Sequence, residues 1–234
     1  MFRKKIVFVI VEGPSDEEAL GVLLNRIYDS KAVYVHVMHR DLTTELNVNP
    51  SNIVSKVGNL VKNYAGRMFK PDDFSQIIHI TDMDGVFIPD DAVVEDNAAV
   101  KPAYSETEIR TQRKNGIEAR NSRKRENLNR LASTAAIWKV PYQIYYMSCN
   151  LDHVLYGKLN STDDEKERDA FTFAKKYRDD IPGFINYISK SAFSVTGGYS
   201  QSWQYIREGL HSLERHTNFG LCFLSGFDGQ EAES

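Results

Sequence analysis

Hydrophobic residues follow two rhythms along the first half of the chain, and each rhythm predicts an element. Ile6 to Val11 is an unbroken apolar, β-branched run, the pattern of a strand buried on both faces of a parallel sheet. A turn, Glu12-Gly13-Pro14-Ser15, follows it. From Asp16 to Tyr28 the apolar positions Ala19, Leu20, Val22, Leu23, Leu24 and Ile27 read as one helical face, behind an acidic first turn. The pattern repeats with a strand over Ala32 to Met38. A helix then opens at Asn49-Pro50-Ser51 and runs to about Met68, and a third strand spans Phe74 to Thr81. Strand, helix, strand, helix, strand in this order predicts an α/β fold with a doubly wound, mainly parallel central sheet, Rossmann-like in plan.

The rhythm lapses after Pro89. Asp90, Asp91, Glu95 and Asp96 form an acidic stretch with no core pattern. Between Arg110 and Arg130, eight basic residues then stand against only Glu118 and Glu126. This reads as an insertion over about 89–135 that leads into a basic helix. Val140 to Met147 is a fourth strand, with Pro141 near its start where proline is tolerated. A helix over Leu151 to Leu159 follows. Farther on, the pattern predicts a polar helix from Ser161 to Tyr177, an irregular stretch over 184–199 and a helix from Ser200 to His216. It ends with a short last strand from Phe219 to Leu224 and a frayed tail from Gly226. The expected organisation is one α/β domain over 1–159 and a mainly helical extension over 160–234 packed on the same core.

Composition narrows the function classes. With 234 residues, 41% hydrophobic and 26% charged, the chain has the makings of one large folded domain. A net charge of −3 excludes a uniformly basic nucleic-acid binder but leaves room for a local basic patch. Cys149 and Cys222 lie far apart among apolar residues and read as free thiols of a reducing compartment. The N-terminal apolar run is too short for a signal peptide, and nothing approaches the roughly 20 residues of a membrane span. The expectation is a cytoplasmic protein with no membrane partner.

The chemistry sits where two central strands end. Val11-Glu12-Gly13-Pro14-Ser15-Asp16 closes the first, and Thr81-Asp82-Met83-Asp84-Gly85 closes the third. In open α/β sheets, ligands bind beyond the carboxyl ends of the strands. Three carboxylates gathered there repel one another, and a divalent cation removes that cost. Oxygen-only ligation favours Mg²⁺ or Mn²⁺. An extended chain sends Asp82 and Asp84 to the same side. Asp16, one turn into the next helix, is placed to serve a second ion or orient a water. The bland alternative is that each carboxylate is a turn residue or a helix cap, which explains Asp16 as well as ligation does. Arg110, Arg113, Lys114, Arg120, Arg123, Lys124 and Arg125 are the candidate phosphate contacts, with Lys190 and Arg215 as outliers. Their bland reading is a solvated helix face.

The two motifs resemble those of the Toprim domain of topoisomerases, bacterial primases, OLD-family nucleases and ribosomal-RNA maturases. The first motif fits at every position. The second fits through Asp84, but its glycine, Gly85, comes immediately after the ligand pair. Asn150-Leu151-Asp152-His153 resembles a late motif of small stand-alone Toprim proteins, the RloB-like and abortive-infection group. That likeness adds Asp152 to the candidate ligands and His153 as a candidate proton shuttle. The resemblance implies a Mg²⁺-dependent endonuclease on DNA or RNA in antiphage defence. It also implies a partner ATPase, since no Walker A sequence occurs here, and a homodimer is the default assembly. Asp82-Met83-Asp84-Gly85-Val86 also resembles the first motif of haloacid-dehalogenase phosphatases. There Asp82 would be the nucleophile, Asp84 the acid/base and Ser148 the second motif, but Glu12 would have no role. A third class is a non-catalytic Toprim-like subunit that binds nucleic acid or a partner.

Overall fold

The computed structural model describes residues 5–29 and 33–224. The chain runs β1 (Lys5–Val11), α1 (Pro14–Asp29), β2 (Val33–His39), α2 (Ile53–Ala65) and β3 (Phe74–Asp82). Three short strands follow, β4 (Val93–Glu95), β5 (Ala103–Tyr104) and β6 (Ile109–Thr111), and then the long helix α3 (Lys114–Ala132). The remainder is β7 (Ala136–Ile137), β8 (Val140–Ser148), α4 (Leu151–Tyr156), α5 (Asp163–Tyr177), α6 (Ile181–Lys190), α7 (Tyr199–Tyr205), β9 (His216–Thr217) and α8 (Leu221–Leu224).

The central sheet has the order β2-β1-β3-β8-β7, with β9 also on β8. β2, β1, β3 and β8 are parallel, and β7 and β9 pair antiparallel with β8. Alternation along β1 explains why both sheet faces carry helices. Val7, Val9 and Val11 pack with Leu20, Leu23 and Leu24 of α1, Phe173 of α5 and Phe184 of α6. Ile6, Phe8 and Ile10 pack on the other side with Val57 and Val61 of α2, Leu128 and Leu131 of α3 and Trp203 of α7. An α/β fold with a mostly parallel sheet is therefore what the hydrophobic pattern builds. From β1 the chain crosses to β2 on one side and then returns to β3 on the other, so the ends of β1 and β3 flank a topological switch point.

Three sequence expectations need correcting. The stretch 184–199 is not irregular throughout, because α6 occupies Ile181–Lys190. Asp180 caps it by accepting from the Gly183 N–H at 2.9 Å, and Pro182 sits in the first turn, where its missing N–H costs nothing. The helix expected over Ser200 to His216 stops at Tyr205 and gives way to turns, with Gly209 at φ +51°. The apolar run at Phe219 to Leu224 holds a short helix, and the last strand is His216–Thr217. The basic helix also packs inward: Leu128 and Leu131 are fully buried in the central core. The loop ahead of it forms a small separate sheet, ordered β4-β6-β5. The expected frayed tail from Gly226 lies outside the described residues.

Candidate functional site

β1 and β3 bring Glu12 and Asp82 to one edge of the sheet, and the loop after β2 adds Asp41 there. These acids, with Asp16 and Glu18 of α1 and Asp163, Lys166 and Glu167 of α5, line an open cleft of about 520 Å³. Its wall is strongly acidic, with Lys166 as the one cation among the lining residues.

Glu12 is only 12% exposed. It accepts a hydrogen bond from the Thr81 hydroxyl at 2.5 Å and another from the Lys124 ammonium at 3.3 Å. Lys124 also donates to Asp84 at 2.7 Å and is itself fully buried. One nitrogen bonded to both acids keeps those two carboxylate oxygens within about 6 Å of each other. Asp82 accepts from the Leu151 N–H at 2.9 Å and so also caps the start of α4. Asp16 accepts from the Gly13 N–H at 2.9 Å, which gives it the structural task of closing the turn after β1.

The electrostatics divide the acids. Burial pushes the Glu12 carboxyl up to about 8; Lys124 opposes the rise, and Asp41 and Asp84 add to it. Burial also raises Asp16 to about 6. Burial lifts Asp82 well above the carboxylate range, and repulsion from Glu12, Asp16 and Asp84 adds to the lift. Burial acts upward at Asp84 as well, but Lys124 and Arg120 outweigh it and hold that carboxyl below its ordinary value. The site thus gathers more partly buried carboxylates than cations to neutralise them.

Oxygen donors in surplus suit a hard divalent cation in their chemistry. As the side chains stand, no three of His, Cys, Asp and Glu among the described residues are grouped to enclose one. The cation between Glu12 and Asp84 is the Lys124 ammonium. The extended geometry expected for Asp82-Met83-Asp84 also changes: β3 ends at Asp82, and Asp84 takes the left-handed conformation at φ +49°.

Helix α3 holds that turn from behind. Arg120 donates to the Asp84 carbonyl at 2.8 Å, Asn121 to the Gly85 carbonyl at 3.2 Å, and Arg125 to the Val86 carbonyl at 3.0 and 3.2 Å. Gly85 is required at its place, since φ is +67° and a Cβ there would stand 2.7 Å from the Leu213 side chain.

These contacts take up part of the expected phosphate-binding set. Lys124, Arg120 and Arg125 spend donors inside the protein. Arg110 pairs with Glu108 and Asp96, and Lys114 with Glu118. Arg113 is exposed, and Arg123 is half-buried with its Nε unpartnered. Of the outliers, Arg215 is bonded to the Val154 carbonyl and the Tyr187 hydroxyl, whereas Lys190 is exposed.

Asp152 lies beside the cleft, 5% exposed, and faces Lys166 at 3.8 Å. His153 points elsewhere: its Nδ1 accepts from the Cys149 N–H and its Nε2 faces Glu106 at 3.4 Å, so the structure gives it no place as a proton shuttle at the cleft. Ser148 is fully buried and donates to the His211 carbonyl at 2.7 Å, which leaves its hydroxyl unavailable as a phosphatase second motif. Asp41 and Lys166 carry no motif of their own. Asp41 had one legible signal, an acid two residues beyond the end of β2.

No family model, curated protein or solved structure matches the chain. Among the described residues, no helix is long and apolar enough to cross a membrane.

Proposed function

We propose that this protein hydrolyses phosphodiester bonds of nucleic acid with a divalent cation, Mg²⁺ or Mn²⁺, held by the acids at the ends of β1 and β3 in a Toprim-like arrangement. The observation that carries the reading is the surplus of partly buried carboxylate at the switch point: Glu12 and Asp82 are both raised by burial, and Lys124 is the one fully buried lysine or arginine among the described residues. Such an arrangement costs stability and persists where the charge is used. Glu12 and Asp82 would hold the ion, with Asp16 on the cleft wall and Asp152 behind Lys166 as the candidates to bind its waters. The ion would supply Lewis-acid polarisation of the phosphate and a more acidic water.

The chain's own residues have definable tasks in this reading. Thr81 and Lys124 orient Glu12, and the Leu151 N–H orients Asp82. The acidic wall repels a polyanion, so phosphate enters only when cations offset Asp41, Glu18 and Glu167. Arg113, just ahead of α3, and Arg130, on it, are exposed and are among the basic residues left to meet a backbone.

The test is incubation of the purified protein with DNA and with tRNA in Mg²⁺, Mn²⁺ or EDTA, beside a small phosphate ester. Metal-dependent cleavage that Glu12→Ala abolishes supports the reading. Ester hydrolysis that survives Glu12→Ala replaces it with a phosphatase. Nucleic-acid binding without turnover replaces it with a non-catalytic subunit.

A further inference from the structure

Lys124 is the most unusual side chain in the fold. It is a lysine with no exposed surface, on a helix whose sequence reads as a solvated basic face. We infer that Lys124 is the positioning residue of the cleft, whose ammonium withdraws Asp84 from ion ligation and leaves Glu12 and Asp82 as the ion-facing pair. This inference rests on the metal reading above and deepens it.

Three independent features point the same way. Glu12, Asp16 and Asp82 line the cleft, and Asp84 does not. The Asp84 contact to Lys124 is the short one, 2.7 Å against 3.3 Å for Glu12, so Asp84 is the main counter-ion and Glu12 the shared one. The backbone is locked in that direction. The Asp84 N–H donates to the Cys149 carbonyl at 2.6 Å, and Arg120, Asn121 and Arg125 hold the carbonyls of Asp84, Gly85 and Val86 against α3.

Charge compensation at a buried ammonium supplies the physics. A buried ammonium cannot lose its principal counter-ion without another partner. If Asp84 turned to a divalent ion, Lys124 would face that ion across a few ångströms with Glu12 alone beside it. Two adjacent acids of one motif therefore have different work: Asp82 faces the cleft, and Asp84 anchors the lysine that steadies Glu12.

Mn²⁺ affinity, measured by isothermal titration on the full chain, tests this with a readout that a merely structural role would not move. Removing the ammonium frees Asp84 and lifts a like charge, so Lys124→Met is expected to bind Mn²⁺ about tenfold more tightly or better. Asp84→Asn leaves the ammonium on Glu12 alone and is expected to weaken Mn²⁺ binding. The double variant, which removes the cation as well, is expected to return to within about threefold of the wild type. It also removes both charges of the pair, which keeps the comparison sound if either single variant folds poorly, and thermal melts report folding for each. A double variant that stays tenfold weaker than the wild type, as Glu12→Gln is expected to be, makes Asp84 a ligand and overturns the inference. Unchanged affinity in a folded Lys124→Met overturns it too. If neither the wild-type chain nor any variant binds Mn²⁺, the metal reading itself fails, and this inference with it.

Discussion

Replacing Glu12 by glutamine should stabilise the metal-free protein at alkaline pH, although Glu12 belongs to the proposed active centre. Burial raises the Glu12 carboxyl from 4.5 to about 8. A carboxyl raised on folding binds its proton more tightly in the native state. Stability is then full below the unfolded-state value and declines as pH climbs through the folded one. At about 1.4 kcal/mol per unit, the penalty reaches roughly 4 kcal/mol near pH 8. Glutamine resembles the protonated acid and still accepts the Thr81 hydroxyl. The two proteins should therefore match near pH 5 and diverge steadily above it, with the variant more stable. Asp82 feels the Glu12 charge directly, so the difference reports Glu12 together with the relief its removal gives Asp82. Urea unfolding in EDTA at pH 5, 6, 7 and 8 measures it. Parallel pH profiles, or a variant less stable at pH 8, would refute the claim that this carboxylate is held against its own preference.

Three other outcomes follow from the same geometry. Arg125→Ala removes both donors to the Val86 carbonyl and should cost about 1–2 kcal/mol in chemical denaturation, with the loss absent from a control at exposed Arg113. Ile10→Ala, at a fully buried position of β1, should cost about 2–5 kcal/mol by thermal or chemical melts, and a cost below 1 kcal/mol would contradict its place in the core. Millimolar Mg²⁺ should raise the melting temperature of the wild-type chain at pH 8 more than at pH 5, because protons and the ion compete for Glu12. An equal shift at both pH values would count against that competition.

The parts of the fold that could be read from the sequence were those where burial leaves a long signature. β1, β3 and β8 are apolar runs because both of their faces are covered, and α1 and α2 carry a clear helical stripe. Short or punctuated segments were misread for physical reasons. Pro182 and Gly183 look like breakers, yet proline is at home in a first turn, and Phe184 and Ile188 are enough to seat α6. The run at Phe219 to Leu224 is too short for its period to separate strand from helix. At the site, Glu12 and Asp82 could be found because each closes a buried strand. Lys124 reads in sequence as part of a solvated basic face, yet α3 buries one face of Asn121, Lys124, Asn127, Leu128 and Leu131 in which polar residues satisfy the loop carbonyls and Asp84. A helical stripe that mixes Asn and Lys with Leu carries no hydrophobic signal to reveal it.

The central claim is that a divalent ion belongs between the acids that end β1 and β3, and an Mn²⁺-soaked crystal examined at the manganese absorption edge tests it most directly. The account predicts an anomalous peak in the cleft at coordination distance, about 2.1 Å, from carboxylate oxygens of Glu12 and Asp82, with the Lys124 ammonium still on Asp84. A cleft with no peak at saturating Mn²⁺, or an ion bound only at Asp163 and Glu167 on the α5 wall, would contradict it.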